Sequence, residues 1–161
     1  MTRLPALGPR GEGWVALQVL ALFGAAGAGV NALANPGWDG IARIATTAGG
    51  LGLALAGAVQ AVRGSRDLGR NLTPLPRPTG DAELIETGIY RRVRHPIYGG
   101  VILMTIGWGL LTTSLVAAAI GLTLVPFFWL KSTLEERWLG ERFPGYAAYR
   151  RRTRRFIAWP G

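Results

Sequence analysis

PIYGGVILMTIGWGLLTTSLVAAAIGLTLVPFFWL, residues Pro96 to Leu130, is a run of 35 residues without a single charge. A helix that crosses a bilayer needs roughly 20 apolar residues, because each adds about 1.5 Å across a hydrocarbon core of about 30 Å. The run is too long for one crossing and just enough for two short ones, each of about 17 residues and about 25 Å. Thr112, Thr113 and Ser114 interrupt it near the middle and mark the turn. Crossings are therefore expected at about 96–112 and 115–131, with a re-entrant hairpin as the alternative for this pair.

Two more uncharged runs lie upstream. Trp14 to Ala34 holds 21 residues between Glu12 and Asn35-Pro36-Gly37, and Ile44 to Val62 holds 19 between Arg43 and Arg63. The expected fold is all-α: a polytopic integral membrane protein of about four transmembrane helices (14–34, 44–62, 96–112, 115–131) with a C-terminal helical segment, forming a single domain over 1–161. Composition agrees, since 49% of residues are hydrophobic and only 17% charged, against about 25% charged in soluble domains. The small apolar residues Ala32-Leu33-Ala34 resemble a signal-peptidase site, but the run before them exceeds a typical h-region, so an uncleaved helix is expected.

Charge sorting tests this topology, because Lys and Arg collect on the cytoplasmic side of membrane proteins. With four crossings, the N-terminal segment (Arg3, Arg10), the 63–95 loop and the 132–161 tail with the adjoining Lys131 fall on one side. That side collects 17 of the 18 basic residues and leaves Arg43 opposite. Both termini are expected to be cytoplasmic, and the membrane to be the plasma (inner) membrane if the source is bacterial. The excess of basic over acidic residues, 18 to 9, then reflects membrane sidedness and not nucleic-acid binding. Absence of cysteine excludes disulfides, zinc fingers, thiol nucleophiles and iron–sulfur clusters, and the lone His95 excludes a multi-histidine metal site.

Within the second crossing, Gly49, Gly50, Gly52 and Gly57 offer a small-residue surface for close helix approach. Pro126 is expected to kink the fourth helix.

Each of the two polar segments adjoins one end of the third-and-fourth helix hairpin, so a site is expected at the hairpin's cytoplasmic mouth. The first ends Glu86-Thr87-Gly88-Ile89-Tyr90-Arg91-Arg92-Val93-Arg94-His95-Pro96-Ile97-Tyr98-Gly99-Gly100. Pro96 suits the first position of a helix, where its missing N–H costs nothing. His95 then sits at a helix mouth beside free N–H groups suited to an anion, or else serves as a capping histidine in an interfacial Arg/Tyr belt. The second segment begins Lys131-Ser132-Thr133-Leu134-Glu135-Glu136-Arg137-Trp138-Leu139, and the fourth helix is expected to run on through Glu135 and Glu136. Lys131 and Glu135 are four residues apart and could pair on a solvated face. Adjacent carboxylates differ by about 100° around a helix, so one of the two is expected in the hairpin mouth and the other in water. Arg150, Arg151, Arg152, Arg154 and Arg155 with Phe156, Ile157 and Trp159 have the makings of a membrane-surface anchor.

The motif Gly88-x-Tyr90-Arg91-x-Val93-Arg94-His95-Pro96-x-Tyr98-x-Gly100, a helical hairpin, then Glu135-Glu136-Arg137-x-Leu139 with Phe143, Tyr146 and Tyr149 resembles the isoprenylcysteine carboxyl methyltransferase and phospholipid methyltransferase family. The resemblance runs from about Leu84 to Ile157. It implies a membrane enzyme that binds S-adenosylmethionine and releases S-adenosylhomocysteine. It places Arg94, His95, Pro96, Tyr98, Gly100, Glu135, Glu136 and Tyr146 at the cofactor, and Glu136, Tyr149 and Arg152 at the chemistry. It also implies a lipophilic acceptor, either a small molecule, a lipid or a lipidated chain, carrying a carboxylate, amine or thiol. The tail departs from the family's Arg-Val-Pro-Arg pattern, reading Arg152-Thr153-Arg154-Arg155, and Gly99 stands where an apolar or aromatic residue is usual. Methyl transfer from a sulfonium needs alignment of donor and acceptor more than acid–base help, and it needs no metal. An ionised carboxylate acceptor would need orientation by an arginine such as Arg152, whereas an amine or thiol would need a base such as Glu136 or a tyrosine. Two other readings are a nicotinamide-dependent sterol-reductase-like enzyme, for which 161 residues are few, and a non-catalytic, lipid-binding membrane anchor.

Overall fold

The computed structural model describes residues 5–35, 39–78 and 80–157. Arg3, Pro36, Gly37 and Trp159, which entered the reading of the sequence, lie outside the described residues. Among those described, five α-helices and two single 3₁₀ turns carry the fold, and the extended backbone amounts to one isolated parallel bridge between Val93 and Arg154.

Helix α1 (Glu12–Ala34) starts after Gly11, whose φ of 86° is a left-handed value that disfavours side chains. Glu12 in its first turn complements the positive end of the helix dipole. Helix α2 (Gly40–Leu68) is longer than the expected 44–62 crossing, because Arg43, Arg63 and Arg66 extend the helix at its two ends. Helix α3 (Pro96–Leu111) begins at Pro96, as its proline predicts, and ends in a turn where Thr113 takes a φ of 56°. The Ser114 hydroxyl accepts from Ala117 N at 3.2 Å and caps α4 (Leu115–Arg142). Pro126 lies inside α4 without ending it, and α5 (Tyr146–Arg152) follows the Phe143-Pro144 break.

The four-crossing expectation needs one correction. Among the described residues three helices are long and apolar enough to cross a membrane, whereas α3 has only 16 residues, about 24 Å at 1.5 Å per residue. Its shortness has a structural counterpart, since every residue of α3 is buried or half-buried among its neighbours. By contrast α4, at 28 residues, is about 42 Å long and outruns a core of about 30 Å. Its last turns, which carry Glu135 and Glu136, therefore extend past the apolar part of the bundle.

Close backbone approach holds α3 to α2. A Cβ at Gly57 would stand 2.6 Å from the Gly100 carbonyl oxygen, and one at Gly107 would stand 2.6 Å from Gly50 O. The expected small-residue surface is thus half right: Gly50 and Gly57 face α3, while Gly49 and Gly52 face open space. Even an alanine at Gly57 would force the two backbones apart, a strain of typically about 1–3 kcal/mol. On the other side Ile102, Leu124 and Phe128 form the apolar core between α3 and α4. Helix α1 is tied on by Trp108 Nε1 to Ala25 O at 3.1 Å and by Ser114 Oγ to Ala28 O at 3.2 Å.

Candidate functional site

The N-terminal segment, the 69–95 connection, the end of α4 and the tail all meet at one end of the bundle. The Arg77 guanidinium donates to Pro9 O at 3.2 Å, and Arg142 reaches Gly80 O and Ala82 O. There the tail is laced to the entry of α3. Arg94 N donates to Arg154 O and His95 N to Arg155 O, both at 2.9 Å, and Arg154 N donates to Arg92 O at 2.8 Å. From α2, Gln60 donates to Phe156 O at 2.8 Å and to Pro96 O at 3.0 Å. The tail therefore docks along 92–96 without the proline of the family pattern.

Glu136 lies under this lacing with its side chain 3% exposed. One oxygen accepts from Arg94 Nε and faces His95 Nε2, each at 3.0 Å; the other meets Arg150 Nε and an Arg155 guanidinium nitrogen, each at 3.3 Å. Arg94 also donates to Thr153 O. Arg155 lies 4.0 Å above the Trp129 ring and donates to Ser132 and Thr133 hydroxyls. Burial lowers the pKa of Arg155. His95 occupies the N-cap position of α3 but its side chain makes no capping bond, being taken by Glu136 while the ring stacks on Tyr98 at 5.5 Å.

Glu135, one residue earlier, belongs to a different environment. Its Oε2 accepts from the Tyr98 hydroxyl at 2.8 Å and stands 3.9 Å from His95 Nδ1. The expectation that one glutamate faces water gives way to two occupied sides: Glu136 in the ion cluster, Glu135 on the wall of a cavity. The cavity holds about 410 Å³, within the roughly 300–1,000 Å³ usual for small-molecule sites. Arg94, His95, Tyr98, Glu135, Tyr146 and Tyr149 line it, together with Tyr90, Lys131 and apolar side chains from 72–85. Burial raises the pKa values of Tyr90, Tyr146 and Tyr149, so all three phenols keep their protons at neutral pH. Tyr90 spends its hydroxyl on Gly64 O at 3.3 Å and Tyr149 on Tyr90 O at 3.0 Å. The buried hydroxyl of Tyr146 has no partner among the described residues.

The structure thus gathers six of the residues singled out from the sequence around one cavity. Pro96 sets the start of α3, Gly100 packs against Gly57 and Ala61 of α2, and Glu136 is absent from this lining and borders a second cavity with Arg137 and Arg150. Arg152 lies outside it, more than half exposed and paired with Glu86 at 2.6 Å.

Other wall residues were missed. Lys131, which could have paired with Glu135 on a solvated face, is instead 1% exposed and donates to Gln18 Oε1 at 2.7 Å and to Pro74 O at 3.4 Å. Gln18 and Gln60, amides inside otherwise apolar runs, were the available signal, since a polar side chain in a spanning helix is costly unless it has work to do. The segment Leu72-Thr73-Pro74-Leu75-Pro76-Arg77-Pro78 gave no signal beyond its prolines, yet it roofs the cavity.

Residues 45–145 match the phospholipid methyltransferase family. Over 75 residues the chain is 36% identical to the cobalt-zinc-cadmium resistance protein CzcN of Cupriavidus metallidurans. That stretch is 46% of this chain and 35% of CzcN, so the match spans about a third of that relative's length. The family match takes in the α2–α3 glycine contact, the Arg94-His95-Pro96-x-Tyr98 helix entry and the two glutamates of α4, and by that extent this chain belongs to the phospholipid methyltransferase family.

Proposed function

We propose that this protein is a single-domain integral membrane methyltransferase whose S-adenosylmethionine site is the cavity at the α3–α4 mouth, on the cytoplasmic face with both termini. The observation that carries this reading is the convergence of Arg94, His95 and Tyr98 from one motif with Glu135, Tyr146 and Tyr149 from the other on one cavity of about 410 Å³.

The donor set fits such a cofactor. Carboxylate and aromatic groups suit a sulfonium and its ammonium, and the Tyr146 hydroxyl, unpartnered among the described residues, has a hydrogen bond to give to a ribose or adenine acceptor. When bound, the cofactor supplies a methyl group activated by its positive sulfur. Glu135 and Tyr98 would hold the positively charged end of the cofactor, and the 72–85 segment would exclude water above it. Alignment of this kind contributes up to about 7–11 kcal/mol to a transfer reaction. Glu136 acts as a positioning residue: it holds Arg94 and His95 in the wall and locks the tail behind them. With four basic groups around it, Glu136 is a poor candidate for the proton acceptor that an amine or thiol would need. The acceptor is a lipophilic molecule from the bilayer.

Calorimetric titration of the detergent-purified protein with S-adenosylhomocysteine, with NADPH as control ligand, tests the reading. Saturable binding of the first and none of the second, weakened by His95→Ala, is the expected result. A folded protein that ignores S-adenosylhomocysteine would remove the basis for a methyltransferase.

A further inference from the structure

Lys131 is the most deeply buried charge in the molecule's functional half, and its surroundings are incomplete. Its hydrogen-bond partners are the neutral oxygens of Gln18 and Pro74, and its ammonium lies 5.0 Å from the Tyr98 ring centroid. Among the described residues no carboxylate lies within ion-pair distance of it. A buried cation without an ion-pair partner is costly, and an anion beside it lowers that cost. The cavity it lines is where such an anion can enter.

One helical turn further along α4, Glu135 presents the opposite charge to the same cavity. Lysine followed by glutamate four residues later is the less favourable order for a helical pair. Here the two are also held by separate partners, Lys131 by Gln18 and Glu135 by Tyr98. Two opposite charges that line one cavity and attract without forming an ion pair match a ligand that carries both.

Building on the methyltransferase reading, we propose that Lys131 and Glu135 form a zwitterion-binding subsite, with Lys131 holding a carboxylate or phosphate and Glu135 an ammonium group. Two ligand parts carry this chemistry: the amino-acid end of the cofactor and the headgroup of a zwitterionic lipid acceptor. Lys131 thereby becomes a ligand-binding residue, and Gln18 positions its ammonium from α1.

The test compares S-adenosylhomocysteine with 5′-methylthioadenosine, which lacks the amino-acid end, and with phosphatidylethanolamine in mixed micelles. Each is titrated into wild type, Lys131→Met, Glu135→Gln and Lys131→Arg. Loss of one charge-assisted contact should weaken binding by about 10- to 100-fold. If the cofactor fills the subsite, wild type prefers S-adenosylhomocysteine to 5′-methylthioadenosine, Lys131→Met and Glu135→Gln erase the preference, and Lys131→Arg restores it. If the lipid fills it, that preference survives in both variants while phosphatidylethanolamine binding falls. Folded variants that keep both affinities overturn the subsite alone. Wild type that binds no S-adenosylhomocysteine overturns the methyltransferase reading and the subsite together.

Discussion

Glu136 and Glu135 are consecutive on α4, and about 100° of helical rotation sends them into environments that differ in completeness. Around Glu136 every oxygen is taken, by Arg94, His95, Arg150 and Arg155, and the cluster ties four parts of the chain together. Around Glu135 and Lys131 the partners are few and mostly neutral, a cavity adjoins them, and the buried Tyr146 hydroxyl nearby has no partner among the described residues. A saturated polar cluster stabilises a fold, whereas an unsaturated one of the same chemistry is stabilised by what binds there.

Removing the saturated side should have the largest effect. Glu136→Ala leaves Arg94 and His95 buried without their carboxylate, at a cost of about 3–5 kcal/mol. Thermal unfolding in detergent should show a large fall in midpoint, and limited proteolysis should release the segment after Tyr149. Glu135→Gln provides the contrast: it keeps an oxygen for Tyr98, so the unfolding midpoint should barely move while S-adenosylhomocysteine affinity drops about ten-fold. If both variants destabilise equally, the two environments are not distinct.

Gln60→Ala should fall between them. It strips the Phe156 and Pro96 carbonyls of their amide donor, which predicts a loss of about 1–3 kcal/mol and a tail more readily cut by protease. Tyr146→Phe sharpens the comparison from the other direction. Deleting a buried hydroxyl that has no partner should leave stability unchanged or raise it by about 1 kcal/mol, yet lower cofactor affinity several-fold. A variant that loses stability without losing affinity would show that the hydroxyl serves the fold. The smallest change is expected for Arg152→Ala, whose exposed pair with Glu86 is worth about 0–1 kcal/mol at most. Methyl transfer by this variant should stay within a few-fold of wild type; a collapse in rate at unchanged stability would return Arg152 to the chemistry.

Much of the fold was legible because membrane insertion is read from a linear property. Uncharged runs located α1, α2 and the hairpin, Pro96 located the start of α3, and Thr112 to Ser114 located its turn. The short length of α3 was legible too, but not its reason, because shelter within the bundle depends on the glycine contact with α2. Candidate site residues came from two motifs, and most of them do line one cavity. Pro96, Gly100, Glu136 and Arg152 fall elsewhere, since a motif records which residue types recur and not which way each side chain faces.

What the sequence determined by itself was therefore the membrane class, the helix boundaries to within a few residues, the sorting of basic residues and the two motifs. Local hydrophobicity and backbone chemistry act over a few neighbouring residues and can be read in order along the chain. Only the tertiary structure decided that Lys131 donates to Gln18, 113 residues distant, and that Glu136 is locked to the tail while Glu135 faces a cavity. Those choices depend on which charges are close in space once water is excluded, and no stretch of sequence contains both members of such a pair.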